Sequence, residues 1–171
     1  MSYYERTPTP VEPALPPHRG PFQTSFATPE DLKAEDNAAN EIARIWSVEV
    51  HKFAPFSAID RFVVADRRFS GLLEIKHRTH AKGSHPTVFL NLRKHLALAL
   101  GSLHYGVRSV FAVRWTDVLG WVALEDIDPR RLKIGGCSRP VKSQSDIEPV
   151  IEVPVKSMHT LIAYGDPKGK P

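Results

Sequence analysis

Residues 57–78, SAIDRFVVADRRFSGLLEIKHR, constrain the fold most, because two β-patterned runs stand only three residues apart. SAIDRFVVAD and SGLLEIKHR are rich in branched and aromatic residues, and RRF between them leaves room only for a tight connection. The pair predicts an antiparallel hairpin. Three charges sit inside it. Asp60 lies between Ile59 and the apolar run 62–64, while Glu74 and Lys76 are interleaved with Leu72, Leu73 and Ile75.

The rest of the chain supplies cover for such a sheet. TPEDLKAEDNAANEIARIW opens with a helix start: Thr28 can cap, Pro29 sits where a missing N–H costs nothing, and acids crowd the first turns. Leu32, Ala38, Ala39, Ile42, Ile45 and Trp46 recur on one side at helical spacing. SVEVHKF alternates and predicts a short strand before the hairpin. After the polar loop RTHAKGSHP a second helix is expected, with Asn91 as its N-cap and Leu92, Leu96, Ala99, Leu100 and Leu103 as its apolar stripe. RSVFAVRW and LGWVALE predict two further strands. RRLKIGGCSRP reads as a Gly-rich connection, and EPVIEVPV as a late edge strand, since Pro149 and Pro154 suit an edge. The order is helix, three strands, helix, strand, then additions. That predicts an α/β fold, with a sheet flanked by two helices.

Length and composition set the limits. The 171 residues suffice for one domain with a proper core. Seven of the 15 prolines fall in residues 1–29, so residues 1–27 are expected to form an extended arm, either idle or docked on a protein partner. The folded unit is expected over residues 28–164, with residues 165–171 as a second tail. A formal charge of +4 and a pI near 9.3 are compatible with a polyanionic partner. The single cysteine, Cys137, excludes an intramolecular disulfide and suits a reducing interior. No apolar stretch has the length to span a bilayer, and the N-terminus lacks the apolar segment of a secretory signal. The expected location is the cytoplasm, with no membrane partner.

Three acids and a lysine can converge in this layout. Asp60 and Glu74 lie on neighbouring strands, which run about 4.8 Å apart, so both carboxylates can reach one cation. Lys76 shares the face of Glu74 by the two-residue strand period. Glu41, at the margin of the first helix's apolar stripe, can lean over the sheet edge; Glu49 takes that role if the helix runs on through SVEVHKF. Hard oxygen ligands of this kind suit Mg²⁺ or Mn²⁺. In phosphodiester hydrolysis such a cation polarises the phosphate, and a nearby lysine stabilises the growing negative charge. Alone, an E-x-K triplet is weak, because most such pairs are solvated decoration worth less than ~1 kcal/mol. Their apolar setting raises the odds, since charges in buried strands must be paired, metal-bound or at a mouth.

With a helix acid, SAIDRFVVAD, LLEIKHR, a polar loop and a Lys-bearing helix in that order, the chain resembles the PD-(D/E)XK nuclease superfamily. More narrowly it resembles the small phage-encoded members, because HPTVFLNLRKHLALAL, VFAVRWTD, IGGCSR and DIEPVIEVPV follow in the order expected of them. The resemblance covers roughly residues 41–155. It implies a restriction-endonuclease-like core, αβββαβ, whose mixed sheet is flanked by two helices and extended by C-terminal strands. It also implies Asp60 and Glu74 as metal ligands, the backbone carbonyl of Ile75 in the metal sphere, Lys76 as the catalytic lysine and Glu41 as the helix acid. Ile59 stands where a proline can precede the first acid, a position that varies in the superfamily. The implied function is hydrolysis of DNA with Mg²⁺ or Mn²⁺, as a monomer or homodimer. The alternative is a nuclease fold retained as a non-catalytic nucleic-acid-binding or virion-associated protein.

Arg78, His80 and Lys82 in the loop after the hairpin, with Arg93 and Lys94 at the start of the second helix, are candidates for phosphate contact. Lys94 points away from the leucine stripe, so phosphate contact and a solvated helix face stand as equal readings. His77, His80 and His85 match no compact zinc spacing. Trp46, Trp115 and Trp121 sit in helical or strand patterns that favour the core over base stacking.

Overall fold

Thr28 opens the first helix as its sequence predicts. Its hydroxyl accepts from the Asp31 N–H at 3.1 Å, and the Asp31 carboxylate accepts from the Thr28 N–H at 3.1 Å, closing a reciprocal cap. The computed structural model describes residues 28–54, 57–136 and 147–164; the arm and tail expected at the two ends lie outside the described residues. Helix α1 spans Pro29–Trp46 and buries Ala38, Ala39 and Ile42. Leu32 and Ile45, expected on the same stripe, stay exposed.

The hairpin forms. Strand β1 (Glu49–Lys52) pairs with β2 (Arg61–Ala65), and β2 pairs antiparallel with β3 (Arg68–His77). The turn falls on Asp66 and Arg67, with φ of 51° and 60°, so Phe69 is already in the strand. Two successive left-handed residues give the connection a twist that matches the strands it joins. Further along come β4 (Thr87–Asn91), α2 (Leu92–Tyr105), β5 (Arg108–Arg114), β6 (Val118–Ala123), β7 (Leu132–Gly136), β8 (Ile147–Pro154) and β9 (His159–Ala163).

These strands make two sheets. The larger has the order β1-β2-β3-β5-β6-β9, antiparallel throughout except for the parallel β3–β5 pair. The smaller has the order β4-β8-β7, so β8 is its central strand and not the edge that its prolines suggested. Each proline removes one donor only, whereas Ile151 and Val153 are almost wholly buried and fix β8 in the middle. Strand β4 escapes sequence reading because it runs directly into α2, whose helical pattern absorbs it.

Helix α2 starts at the expected cap, where the Asn91 Oδ1 accepts from the Arg93 N–H at 2.8 Å. Its buried face is rotated away from the expected one, with Leu92 and Ala99 of that stripe still packed against the core at its margin. His95, Leu98 and Gly101 are buried, whereas Leu96, Leu100 and Leu103 are exposed, Leu103 by 82%. Gly101 gives the reason: a Cβ there would lie 2.5 Å from Leu72 Cδ1, so the helix backbone rests directly on β3. Ser102 and Ser109 then meet hydroxyl to hydroxyl at 2.6 Å, and the Ser109 hydroxyl bonds the Leu98 carbonyl at 3.1 Å. Leucine periodicity marks a face but not the direction in which it points.

Two cores result. Helix α1 covers one side of the large sheet with Val63, Leu73, Ile75, Ala112 and Leu119 beneath it. Helix α2 and the small sheet cover the other side, over Leu72, Phe111, Val113, Trp115 and Val122. Alternation along β3 therefore sends Leu73 and Ile75 to α1, and Leu72, Glu74 and Lys76 to the α2 side.

A largely buried arginine pairs α1 with the hairpin. The Arg61 side chain is 8% exposed and donates to Asp36 Oδ1 at 2.5 Å, while Asp36, 44% exposed, also accepts from Lys52. Burial pushes the Asp36 carboxyl up, but the bonds from Lys52 and Arg61 outweigh it and hold it below the ordinary range. Asp36→Ala should cost about 1–2 kcal/mol, less than a fully buried pair because Asp36 is half in water. Since the folded-state pKa is the lower one, this contribution is complete above about pH 4 and fades as pH falls through the folded value. Urea unfolding of both proteins at pH 7 and near pH 3 should show the gap closing at the acid end.

Candidate active site

Glu74 is the centre of the site. It stands opposite Phe111 in the parallel register, its side chain only 10% exposed, on the face that α2 covers. Asp60 arrives from the residue just before β2, where its carbonyl accepts from the Phe53 N–H at 3.0 Å. Lys94, in the first turn of α2, reaches between them. Its ammonium donates to Asp60 Oδ1 and lies 3.2 Å from Glu74 Oε2. That second approach is an ion pair without hydrogen-bond geometry, so Glu74 Oε2 is buried with no hydrogen-bond partner among the described residues. Lys76 follows on the same face, with its amine donating to the Phe89 carbonyl on β4 at 3.2 Å.

The electrostatics follow from the crowding. Burial first, and the neighbouring Asp60 second, push the Glu74 carboxyl well above its usual range, and Lys94 only partly offsets them. The Lys94 ammonium is held the more firmly charged: burial opposes the charge, but Glu74 and Asp60 together outweigh it. Burial, with help from Arg78, lowers the Lys76 amine to about 8. Two carboxyl groups share one ammonium, and a divalent cation is what would let both ionise together.

The α1 acid whose charge couples to Asp60 and Lys76 is Glu35; the expected Glu41 lies elsewhere on the helix. Burial, and then the charge of Asp60, raise the Glu35 carboxyl, and Glu35 in turn supports the charge of Lys76. Glu41 lines a separate cleft with Asn37, Asn40, His77 and Arg114, and its carboxylate accepts from the Tyr164 hydroxyl. The two acids are six residues apart, which turns them about 120° away from each other on the helix. Glu49, the other candidate, is exposed on β1 and pairs with His51 at 3.0 Å. A signal for Glu35 was present in the sequence: it continues the buried Ala38–Ala39–Ile42 face one turn earlier. A carboxylate on the apolar side of a helix needs a reason.

The other candidates scatter. Arg78 is half-buried near Glu35 and Asp31, and its guanidinium donates to the His77 carbonyl at 3.1 Å. The Lys82 amine turns toward β9, where it donates to the Met158 carbonyl at 3.0 Å and the Thr160 hydroxyl at 3.2 Å. His80 packs edge-on against His85, with ring centroids 4.8 Å apart. Arg93 is exposed at the start of α2, beside Lys94. The Ile75 side chain packs toward α1, which leaves its peptide carbonyl as the only group it can offer to the site. His77 faces α1, opposite to Lys76, with Nδ1 2.8 Å from Asp31. Trp115 is core, and Trp46 packs edge-on against Trp121.

Among the described residues, no group of three or more His, Cys, Asp or Glu side chains is gathered closely enough to hold a metal ion outright. The fit to a divalent cation rests on the donor set: two hard carboxylates around a single cationic centre, one of their oxygens without a hydrogen-bond partner.

Comparisons with known proteins bear on the family and the fold. A family described as "Phage putative PDDEXK endonuclease" matches residues 22–161. No curated protein matches the sequence. Among solved structures, the Holliday junction resolvase Hjc of Archaeoglobus fulgidus, an archaeal hyperthermophile, is similar over 58% of this chain and 76% of that one. Identity there is 13% and the TM-score is 0.45.

Proposed function

We infer the function from one premise: the chain belongs to the phage PDDEXK endonuclease family, which matches it over residues 22–161. The proposal is hydrolysis of DNA phosphodiester bonds with Mg²⁺ or Mn²⁺, carried out in the host cytoplasm. The observation that carries it is the meeting of Asp60, Glu74 and the Lys94 ammonium beside Lys76 on one covered face of the sheet.

Asp60 and Glu74 would hold the cation, Glu35 would add negative charge from α1, and the Ile75 carbonyl is the remaining oxygen within the strand. A bound divalent ion supplies polarisation of the phosphate and a more acidic water. Lys76 presents its amine on the same face as Glu74, where it can steady the negative charge that grows on the phosphate. The balance is simple: water oxygen bonds to phosphorus, the bond from phosphorus to one sugar oxygen breaks, and that oxygen leaves with a proton. Arg93, exposed beside Lys94, and Arg78 would serve the phosphates next to the one cut.

Labelled linear, single-stranded and branched DNA, incubated with Mg²⁺, Mn²⁺, Ca²⁺ or EDTA, tests this directly. Cleavage with Mg²⁺ or Mn²⁺ that EDTA stops is the expected result. Folded protein that retards DNA on a gel yet cuts none of these substrates with any ion would mark it as a non-catalytic binder. The helix acid is tested separately. Glu35→Gln should slow cleavage roughly tenfold to a hundredfold, whereas Glu41→Gln should stay within about threefold of wild type. Equal losses, measured under single-turnover conditions, would return Glu41 to the site.

A further inference from the structure

Lys94 is at odds with its position. It stands in the first turn of α2, a turn with no acidic residue, where the helix dipole disfavours a cation by about 0.3–1 kcal/mol. Its side chain is only 21% exposed, and its charge is spent on Asp60 and Glu74. A cation is held there because the two carboxylates require one.

We propose that the Lys94 ammonium is a tethered cation that occupies the divalent-ion position and has to be displaced before the site can load. The inference rests on the proposed function, since it assigns the ion the same two carboxylates. An ammonium sits about 3 Å from its acceptor oxygens, and Mg²⁺ about 2.1 Å from its ligands, so both cannot lie between the same pair. Occupancy is therefore exclusive. Lys94 neutralises one of the two negative charges, and a divalent ion neutralises both, so exchange proceeds once the free ion exceeds a threshold that Lys94 sets. The ion-free site is kept folded by the same contact, because the alternative is two buried carboxylates with nothing between them. Once displaced, the ammonium remains on a flexible stem beside the cation, and the incoming phosphate is the anion available to hold it. Ion loading and phosphate capture are thereby coupled through one side chain.

The test is calorimetric titration of Mn²⁺ into the full-length protein without DNA, for wild type, Lys94→Met, Lys94→Gln and the exposed control Lys156→Met. Removing the competing ammonium should tighten Mn²⁺ binding at least tenfold in both Lys94 variants and leave the control within about twofold of wild type. In EDTA the Lys94 variants should melt below wild type, and saturating Mn²⁺ should raise their midpoints by more than it raises that of wild type. Unchanged or weaker Mn²⁺ binding in Lys94 variants whose circular dichroism is native would overturn the proposal, as would equal tightening in Lys156→Met. If wild type and Lys94 variants alike bind no Mn²⁺, and Glu74→Gln behaves as they do, the metal-dependent reading fails along with this one. If all bind equally and Glu74→Gln does not, only the role of Lys94 falls.

Discussion

Glu74→Gln is expected to lower DNA cleavage by about a thousandfold or more at saturating Mg²⁺, with the fold intact. The amide keeps the shape of the side chain but cannot carry the charge that binds a hard cation. A thousandfold corresponds to about 4 kcal/mol of transition-state stabilisation, which is within what a Lewis-acid cation supplies. Folding should not suffer. Glu74 is buried against Asp60, and a neutral amide relieves both the burial of charge and the repulsion between the two acids. Single-turnover cleavage, together with urea unfolding in EDTA, separates the two effects. A variant that cuts within tenfold of wild type would remove Glu74 from the ligand set.

Phe111→Ala is expected to cost about 3–5 kcal/mol of stability. Phe111 is fully buried in the larger core and lies across from Glu74 on the parallel β3–β5 pair of the large sheet. Removing its ring opens a cavity beneath α2, which rests too closely on β3 at Gly101 to settle further without moving Leu72. For a domain of this size the loss should lower the thermal midpoint by roughly 10 °C. Cleavage measured well below that midpoint should fall far less than in Glu74→Gln, which distinguishes packing from chemistry. A midpoint unchanged within a degree or two would show that the site collapses freely around the missing ring.

The features legible in the sequence were those encoded locally. Thr28 and Pro29 announce α1, the runs around RRF announce the hairpin, and strand alternation places Glu74 and Lys76 on one face. The α/β class and the two flanking helices follow from the order of such signals. What escaped depends on the direction in which a face is turned. The leucines of α2 advertise an apolar stripe, yet Gly101, with no side chain at all, decides which side packs. Because the leucines at 96, 100 and 103 face outward, Lys94 points in, which leucine spacing alone does not reveal. Glu41 borders the apolar stripe of α1, but Glu35, six residues nearer the helix N-terminus, is the acid that couples to Asp60 and Lys76. Strand β8 looked like an edge because proline speaks for one donor, not for a whole ladder.

The parallel pairing of β3 with β5 has a consequence for the chain as it is made. Strand β3 ends at His77, and its partner begins only at Arg108. At roughly 5–20 residues per second of synthesis, the nascent β3 waits about two to six seconds with one border open. An open border bearing Leu72, Leu73 and Ile75 is a template on which another chain could pair. Glu74 and Lys76 interrupt it with charge, the pattern by which strands resist pairing with other chains while they are still uncovered.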